Sequence, residues 1–552
     1  MLYRDICRTL SFFLWILLIP LTFPLGIAVY CQWIAGPEVY PQHPSLFAFF
    51  ITIIITALLA FLCHLIGKSG TGHLFRREGL LLVIVIWFLT PLIGALPFWI
   101  SQTLTNPFDA YFEAVSGFTT TGAGIMSAKE YDASGNEIPI RKTFLVGKAK
   151  TYEYYGNISP IRDPKTHEIL LTGIDAVSPA LLFWRALTQW LGGVGIIVLF
   201  VAILPALGVG GKVLYQSEVT GPTKESIAPR IKDTASQLWK IYLGLTLLQI
   251  FLLMITNAKM SFFDATTITF STLSTGGFTP NNGSIAAYNN AYTDWIIVAF
   301  MIMGSISFST YFFIMQGKFG RLKEPELRVF LAILLITALY ASFSLVGMKK
   351  TLFAGRLPGG PSDTYTFWEA LRYGTFQVVS MQTSTGFAIA NYQWWPFSVQ
   401  TMMLVQMFIG GMAGSTAGGL KVVRLQMYFR ILVNKIEQIF RPDTIRTYRV
   451  GAAQIDQNVA ITVLCFILIA ATLTIIGTFA LVMDGLDPET SLTSIANFLN
   501  NVGLAFRMAG PDYSFAFLSN FGKILSSVWM IAGRLEYFAL LIIFVPDFWR
   551  TR

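Results

Sequence analysis

The chain has 552 residues, 54% of them hydrophobic and only 12% charged, with a mean hydropathy of +0.60. Soluble domains carry roughly 25% charged residues, so this chain has too little polar surface to cover itself in water, and a soluble globular protein is excluded. The net charge of +9 raises nucleic acid as a partner, and the placement of the basic residues removes it again.

Apolar runs long enough to cross a bilayer core, which takes about 20 helical residues, fall at about 10–31, 45–66, 79–100, 180–207, 238–256, 293–316, 329–347, 398–417, 458–483 and 524–546. Ten spans are predicted. The second follows the first quickly, with no small-residue cleavage site, so the first reads as a true helix and not a removed signal peptide. With the N-terminus in the cytoplasm and one crossing per run, 22 of the 39 basic residues collect inside, Arg4, Arg8, Lys68, Lys318, Lys323, Lys421, Arg424 and Arg430 among them. The first outer loop, 32–44, has none. This positive-inside bias predicts both termini in the cytoplasm, and topology explains the basic residues without a nucleic-acid partner. Cys7, Cys31, Cys63 and Cys465 lie in or beside apolar helices, and the four histidines pair with no Cys or Glu at ligand spacing. A disulfide framework and a metalloenzyme therefore have little support.

Between the spans a glycine strip recurs. It reads FTTTGAG at 118–124, TLSTGGF at 272–278, QTSTGFA at 382–388 and, more weakly, NNVGLAF at 500–506. The aligned residues are Thr120-Thr121-Gly122, Ser274-Thr275-Gly276, Ser384-Thr385-Gly386 and Asn501-Val502-Gly503, with intervals of 154, 110 and 117 between the glycines. The long first interval is accounted for by a polar stretch at about 127–177, which carries seven basic and seven acidic residues and reads as an insertion. Without it the chain is a fourfold repeat preceded by one helical hairpin. The resulting divisions are 1–72 for the hairpin, 73–237, 238–325 and 326–456 for the first three units, and 457–552 for the fourth.

Each strip follows a short amphipathic segment: NPFDAYFEAVSGF, SFFDATTITFSTL, TFWEALRYGTFQVVS and DPETSLTSIANFLN. Asn106-Pro107 and Asp487-Pro488 are N-cap and first-turn proline signals. The segments are too short to span, so each unit reads helix, half-helix, extended strip, helix. Irregular backbone survives at membrane depth only where protein or water covers it. Four strips meeting around one axis, each below the negative end of a half-helix dipole, would offer carbonyl and hydroxyl oxygens to a cation. A single Thr-Gly pair is as well explained as a helix-end cap; four near-even copies after four half-helices are not. The expected fold is an all-α polytopic membrane protein with four pseudo-symmetric helix–pore-loop–helix repeats around one pore.

The four-repeat unit resembles the Trk/Ktr/HKT potassium-uptake superfamily, most closely its TrkH-like membrane subunits. The resemblance rests on WRALTQWLGGVGIIVLFVAILPALGVGG (184–211), YQSEVTGPTKESIAPRIKDTA (215–235), GGMAGSTAGGLKVVR (410–424) and AGRLEYFALLIIFVPDFWR (532–550), together with the four strips. It implies potassium uptake across a bacterial inner membrane, a homodimer, and a cytosolic nucleotide-binding regulatory subunit of the TrkA-like kind docked on the basic inner loops 208–237 and 418–456. It also implies a potassium-binding filter at the twelve strip residues named above. Two departures stand out: the fourth strip lacks the second glycine or proline usual soon after the first, and the first strip ends in Gly124 where threonine is common.

The run Gly410 to Gly419 holds five glycines (Gly410, Gly411, Gly414, Gly418, Gly419). It fits either close helix packing through small residues or a break in the helix, since each glycine costs about 1 kcal/mol of helix stability relative to alanine. The resemblance implies a gating loop. Arg534 lies mid-span, where a charge is costly unless it faces water or a partner; an ion pair with Glu536 and a pore-lining barrier are the two readings, and the resemblance favours the barrier. Arg185 is expected to snorkel or pair locally. No nucleotide-binding fingerprint or positioned acid–base pair points to an enzyme, and no bound cofactor is expected beyond potassium as the permeating ion. The alternative function is a secondary transporter of another solute or cation, disfavoured because the four units run in the same orientation. Lipid contacts the outer helix faces.

Overall fold

The computed structural model describes residues 3–550 apart from 37, 71–73, 133, 147, 164, 194, 196–230, 352–363, 442–447, 451–452 and 456. Two long helices, α1 (Tyr3–Val29) and α2 (Leu46–Gly67), form the N-terminal hairpin. They touch closely at one end, where a Cβ on Gly67 would fall 2.4 Å from the Arg8 backbone nitrogen. The far face of α2 leaves Phe47, Leu58, Phe61, Leu62 and Leu65 exposed, a surface that suits lipid rather than water.

Unit one contains α3 (Arg76–Ile100), the half-helix α4 (Pro107–Phe118) and α5 (Pro179–Gly193). Unit two contains α6 (Ile231–Thr256), the half-helix α7 (Phe262–Leu273), α8 (Ala291–Ser305) and α9 (Phe308–Met315). Unit three contains α10 (Pro325–Leu345), the half-helix α11 (Phe367–Gln382) and α12 (Phe397–Phe408), and α13 (Val422–Phe440) leads out of it. Unit four contains α14 (Gln457–Met483), the half-helix α15 (Pro488–Asn500) and α16 (Asn520–Arg534). The expected architecture of four repeats behind a helical hairpin is present.

The ten predicted spans are not all continuous helices. Six described helices are long and apolar enough to cross a membrane. The run at 293–316 bends by 94° between α8 and α9, and the run at 524–546 bends by 114° after Arg534. The run at 398–417 stops as a helix at Phe408 and resumes as one only at Val422. The run at 180–207 is helical to Gly193, and its remainder, like the linker at 215–230, lies outside the described residues. Hydropathy reports what surrounds a segment, not whether its backbone is continuous. The breaks fall at Gly304-Ser305, in the glycine run, and after Gly533, and the carbonyls freed at the first are bonded by another unit: Met412 N donates to Ser305 O at 2.9 Å and Thr416 N to Gly304 O at 3.2 Å. Partners of this kind make a broken helix tolerable in lipid.

The insertion is not helical. It folds as two-stranded antiparallel hairpins, the longest pairing β3 (Ile140–Val146) with β4 (Lys148–Tyr154), after a shorter one of β1 (Glu130–Tyr131) and β2 (Glu137–Ile138).

Candidate ion pore

All four half-helices begin with a side-chain cap. Asn106 accepts from Phe108 N, Ser261 from Asp264 N and Asp487 from Thr490 N, while Thr366 and Glu369 form a reciprocal capping box. These caps satisfy the orphan N–H groups of a helix that starts inside a protein. Each half-helix then ends in the same way. Thr120, Thr275, Ser384 and Asn501 take positive φ of 56°, 54°, 54° and 53°. The next residue's N–H turns back onto the half-helix: Thr121 to Ser116 O, Gly276 to Ser271 O, Thr385 to Ser380 O and Val502 to Asn497 O, at 2.8–3.2 Å. The residue after that is a glycine at positive φ: Gly122, Gly277, Gly386 and Gly503.

This alignment corrects the sequence register in the second strip by one residue. Gly277, not Gly276, is the counterpart of Gly122, Gly386 and Gly503, and Thr275 stands with Thr120, Ser384 and Asn501. With two adjacent glycines the sequence offers no means of choosing, whereas the backbone angles and the bond from Gly276 N choose at once.

The glycines then close a ring. A Cβ on Gly122 would lie 1.8 Å from Gly276 O, one on Gly277 2.0 Å from Thr385 O, one on Gly386 2.3 Å from Val502 O, and one on Gly503 2.7 Å from Thr121 O. Each strip is thus pressed, backbone to backbone, on the next in the order one, two, three, four, one. No side chain fits at any of the four positions without moving a carbonyl. Thr120 Oγ1 and Asn501 Oδ1, at equivalent places in strips one and four, are buried with no hydrogen-bond partner among the described residues.

Residues behind the ring hold it, and of these the sequence singled out only Arg185. Gln189 on α5 donates to Gly276 O at 2.7 Å and accepts from Phe278 N at 3.1 Å. Asn497 Oδ1 accepts from Gly503 N at 2.6 Å, which braces the fourth strip where its second glycine is missing. Arg185 does not snorkel: 4% exposed, it forms an ion pair with the fully buried Glu113 of α4 and donates to Thr279 O at 3.1 Å, while Glu113 also accepts from Ile125 N at 2.8 Å. That pair ties two strips to two helices. A Glu and an Arg 72 positions apart gave no signal of pairing, because only the fold makes them neighbours.

The glycine run lies against the strips. Between Ile409 and Lys421 the chain folds on itself, with Gly410 N donating to Leu420 O at 3.0 Å and Leu420 N to Phe408 O at 3.0 Å. Gly418 N donates to the Ser384 hydroxyl at 2.6 Å, and the Thr416 hydroxyl bonds Leu273 O and Gly304 O, both at 2.9 Å. A Cβ on Gly410 or Gly418 would meet a carbonyl at 1.9 or 2.2 Å, Gly411 sits against Ser305, and Gly414 and Gly419 take positive φ. The loop therefore seats on strips two, three and four. Arg534 reaches the same place from α16 and donates to Thr416 O at 2.9 Å, Gly192 O at 2.5 Å and Gly193 O at 3.2 Å. Gly192, Gly304 and Gly533 press on Phe118 O, Leu273 O and Leu499 O, which makes Arg534 the positional equivalent of Gly193 and Ser305. The acid beside it, Glu536, is paired with Arg424.

A ring of four re-entrant strips, each below a capped half-helix and seated on a loop from one unit, defines a four-unit pore-loop membrane transport protein. A family model described as TrkH, a cation transport protein, matches residues 165–551. The chain is 31% identical over 509 residues to the Trk system potassium uptake protein TrkH of Halomonas elongata, covering 91% of this chain and 92% of that relative. It is 29% identical over 561 residues to the protein of the same name from Vibrio parahaemolyticus, covering 100% of each. The crystal structure of the potassium transporter TrkH from Vibrio parahaemolyticus matches all of both chains with a TM-score of 0.75 at 28% identity. The chain belongs to the TrkH family of cation transport proteins, a family of transporters and not of enzymes.

Proposed function

We propose that this protein takes up potassium, with ions crossing the ring of strips and held back beneath it by the glycine loop and Arg534. The observation that carries the reading is the ring itself: four glycines at positive φ, each against the carbonyl of the next strip. Carbonyls packed this closely around an axis can replace an ion's hydration shell, and the C-terminal ends of four half-helices add negative potential at the same point. The oxygens of Thr120 and Asn501, without a partner among the described residues, are further ligands for an ion or its water. The filter so assigned comprises Thr120, Thr121, Gly122, Ser274, Thr275, Gly276, Ser384, Thr385, Gly386, Asn501, Val502 and Gly503, with Gly277 added by its backbone. The names of the relatives support potassium as the cargo.

In this reading the protein sits in the bacterial inner membrane with both termini in the cytoplasm. The membrane potential drives cations inward at about 2.3 kcal/mol per charge per 100 mV. The gate is the run from Gly410 to Gly419, its helix broken at Phe408 and bonded to Ser384 and Leu273, and Arg534 adds a positive charge to the barrier. A homodimer and a cytosolic nucleotide-binding regulatory subunit complete the proposed assembly. Rubidium uptake in a potassium-requiring bacterial strain tests the function. Uptake above vector control is expected, and none from protein shown to reach the membrane would refute it.

A further inference from the structure

In a ring of four units made from one chain, the peptide links units one to two, two to three and three to four. Nothing covalent joins four to one. At this junction a Cβ on Gly503 would stand 2.7 Å from Thr121 O, against 1.8–2.3 Å at the other three, and Asn501 Nδ2 donates across it to Thr121 Oγ1 at 2.8 Å. The insertion of unit one reaches across this seam. Its base is fixed to unit one by Asn157, which accepts from Ser127 N at 2.8 Å and donates to Ile125 O at 2.9 Å and to Asp109 at 3.2 Å. Its hairpin then lies on unit four. The Tyr152 and Tyr154 rings meet Phe517 edge-on with centroids 6.0 and 6.5 Å away, and Phe144 meets Tyr513 at 5.9 Å. The Tyr152 hydroxyl donates to the Asp487 carboxylate and accepts from Asp487 N at 2.9 Å. Asp487 caps α15, the half-helix that runs to Asn500 and is followed by Asn501.

We propose that the insertion is a clamp closing the one seam of the ring that no peptide crosses, and that Tyr152 is a positioning residue for the fourth filter strip, acting through the cap of α15. The chain of contacts is short and rigid. Tyr152 holds Asp487, Asp487 holds the start of α15, and α15 delivers Asn501, Val502 and Gly503 to the ring. The fourth strip lacks the second glycine and is braced within its own unit by Asn497, and among the described residues Asn501 Oδ1 has no partner. A hydroxyl that both gives and takes a bond at one residue sets the position of that residue more tightly than ring packing alone, since hydrogen bonds are directional.

The specificity role rests on the proposed transport function, whereas the clamp contact does not, so the test has two arms on the full-length protein. In the first, thermal unfolding of purified protein is followed for Tyr152→Phe, Asp487→Asn and the double variant; asparagine still caps a helix, so α15 keeps its start. Coupling between the two substitutions is expected, and strict additivity would overturn the clamp. In the second, rubidium uptake is measured with sodium as competitor. Tyr152→Phe removes both bonds to Asp487 and is expected to lower the rubidium-to-sodium preference at least roughly fivefold, the effect of one hydrogen bond of ordinary strength, with protein amount in the membrane unchanged. Phe517→Ala, which removes packing under the same hairpin, is expected to act in the same direction. An unchanged preference in both variants would overturn the positioning role. Coupled unfolding in a protein that takes up no rubidium even when unmodified would overturn the transport reading and the specificity role with it, and would leave the clamp standing.

Discussion

The most discriminating substitution is alanine at each of the two adjacent glycines of the second strip. At Gly277 the backbone has φ of +83°, and the new Cβ would come to 2.0 Å from Thr385 O. The left-handed conformation alone costs a side-chain-bearing residue about 1–2 kcal/mol, a factor of roughly 5–30 in population. Reaching even 3.0 Å, below which real Cβ contacts essentially do not occur, requires the strips to separate by 1.0 Å. A functional constellation tolerates about 0.5 Å, so the displacement is about twice what the ring can absorb. At Gly276 the φ is unexceptional, and the nearest atoms to the new Cβ, from 2.5 Å, are those of the Gln189 amide, which would have to give up part of its hold on Gly276 O and Phe278 N. A side-chain end can move where a backbone carbonyl in a closed ring cannot. Gly277→Ala should therefore abolish rubidium uptake or its preference over sodium, while Gly276→Ala keeps a measurable part of both. Uptake and ion preference are measured in the same strain, with each protein quantified in the membrane. A Gly277→Ala protein that behaves like the parent, or a Gly276→Ala protein that is the worse of the two, would show the structural register to be wrong.

Gly122→Ser should weaken the preference for potassium and rubidium over sodium, because its Cβ would fall 1.8 Å from Gly276 O; unchanged permeability ratios would remove Gly122 from the filter. Arg534→Ala should raise rubidium flux with the ion preference unchanged, since three carbonyl bonds that seat the barrier are lost with the charge; lower flux from a normally folded variant would rule out the barrier role. The clamp should be stable toward acid. Burial alone would raise the pKa of Asp487, but hydrogen bonds from Thr490 and Tyr152 outweigh it and hold the carboxyl below its usual value. A depressed pKa contributes stability that is complete above the unfolded value and lost as pH falls through the folded one. Thermal unfolding should therefore show no Asp487-dependent loss from pH 7 down to about pH 5 and a loss only below the ordinary carboxylate range, absent from Asp487→Asn. Loss near neutral pH, confined to the parent, would contradict that sign. The Tyr152 hydroxyl, pushed up to about 12 by burial first and by Asp487 beside it, keeps its proton throughout.

Much of this protein is local, and what is local could be read from the residues. Hydropathy located the apolar segments, the asparagine–proline and aspartate–proline pairs marked the starts of two half-helices, and the recurrence of hydroxyl and glycine residues marked four strips, because caps, proline and positive-φ glycine act within a few residues of chain. Tertiary structure alone decided the rest. It set the register of Thr275-Gly276-Gly277, because two adjacent glycines are equally permissive and only the neighbouring strip's carbonyl tells them apart. It broke three of the apolar runs, at Ser305, Phe408 and Arg534; at the first, the freed carbonyls found donors on another unit, and at Phe408 on the returning glycine run, partners that no hydropathy window can see. It buried Arg185 against Glu113 and turned Arg424, rather than Arg534, toward Glu536, because charge pairing inside a membrane depends on which helices meet. And it brought a polar insertion of unit one onto the half-helix of unit four, across the single junction of the ring for which the chain supplies no covalent link.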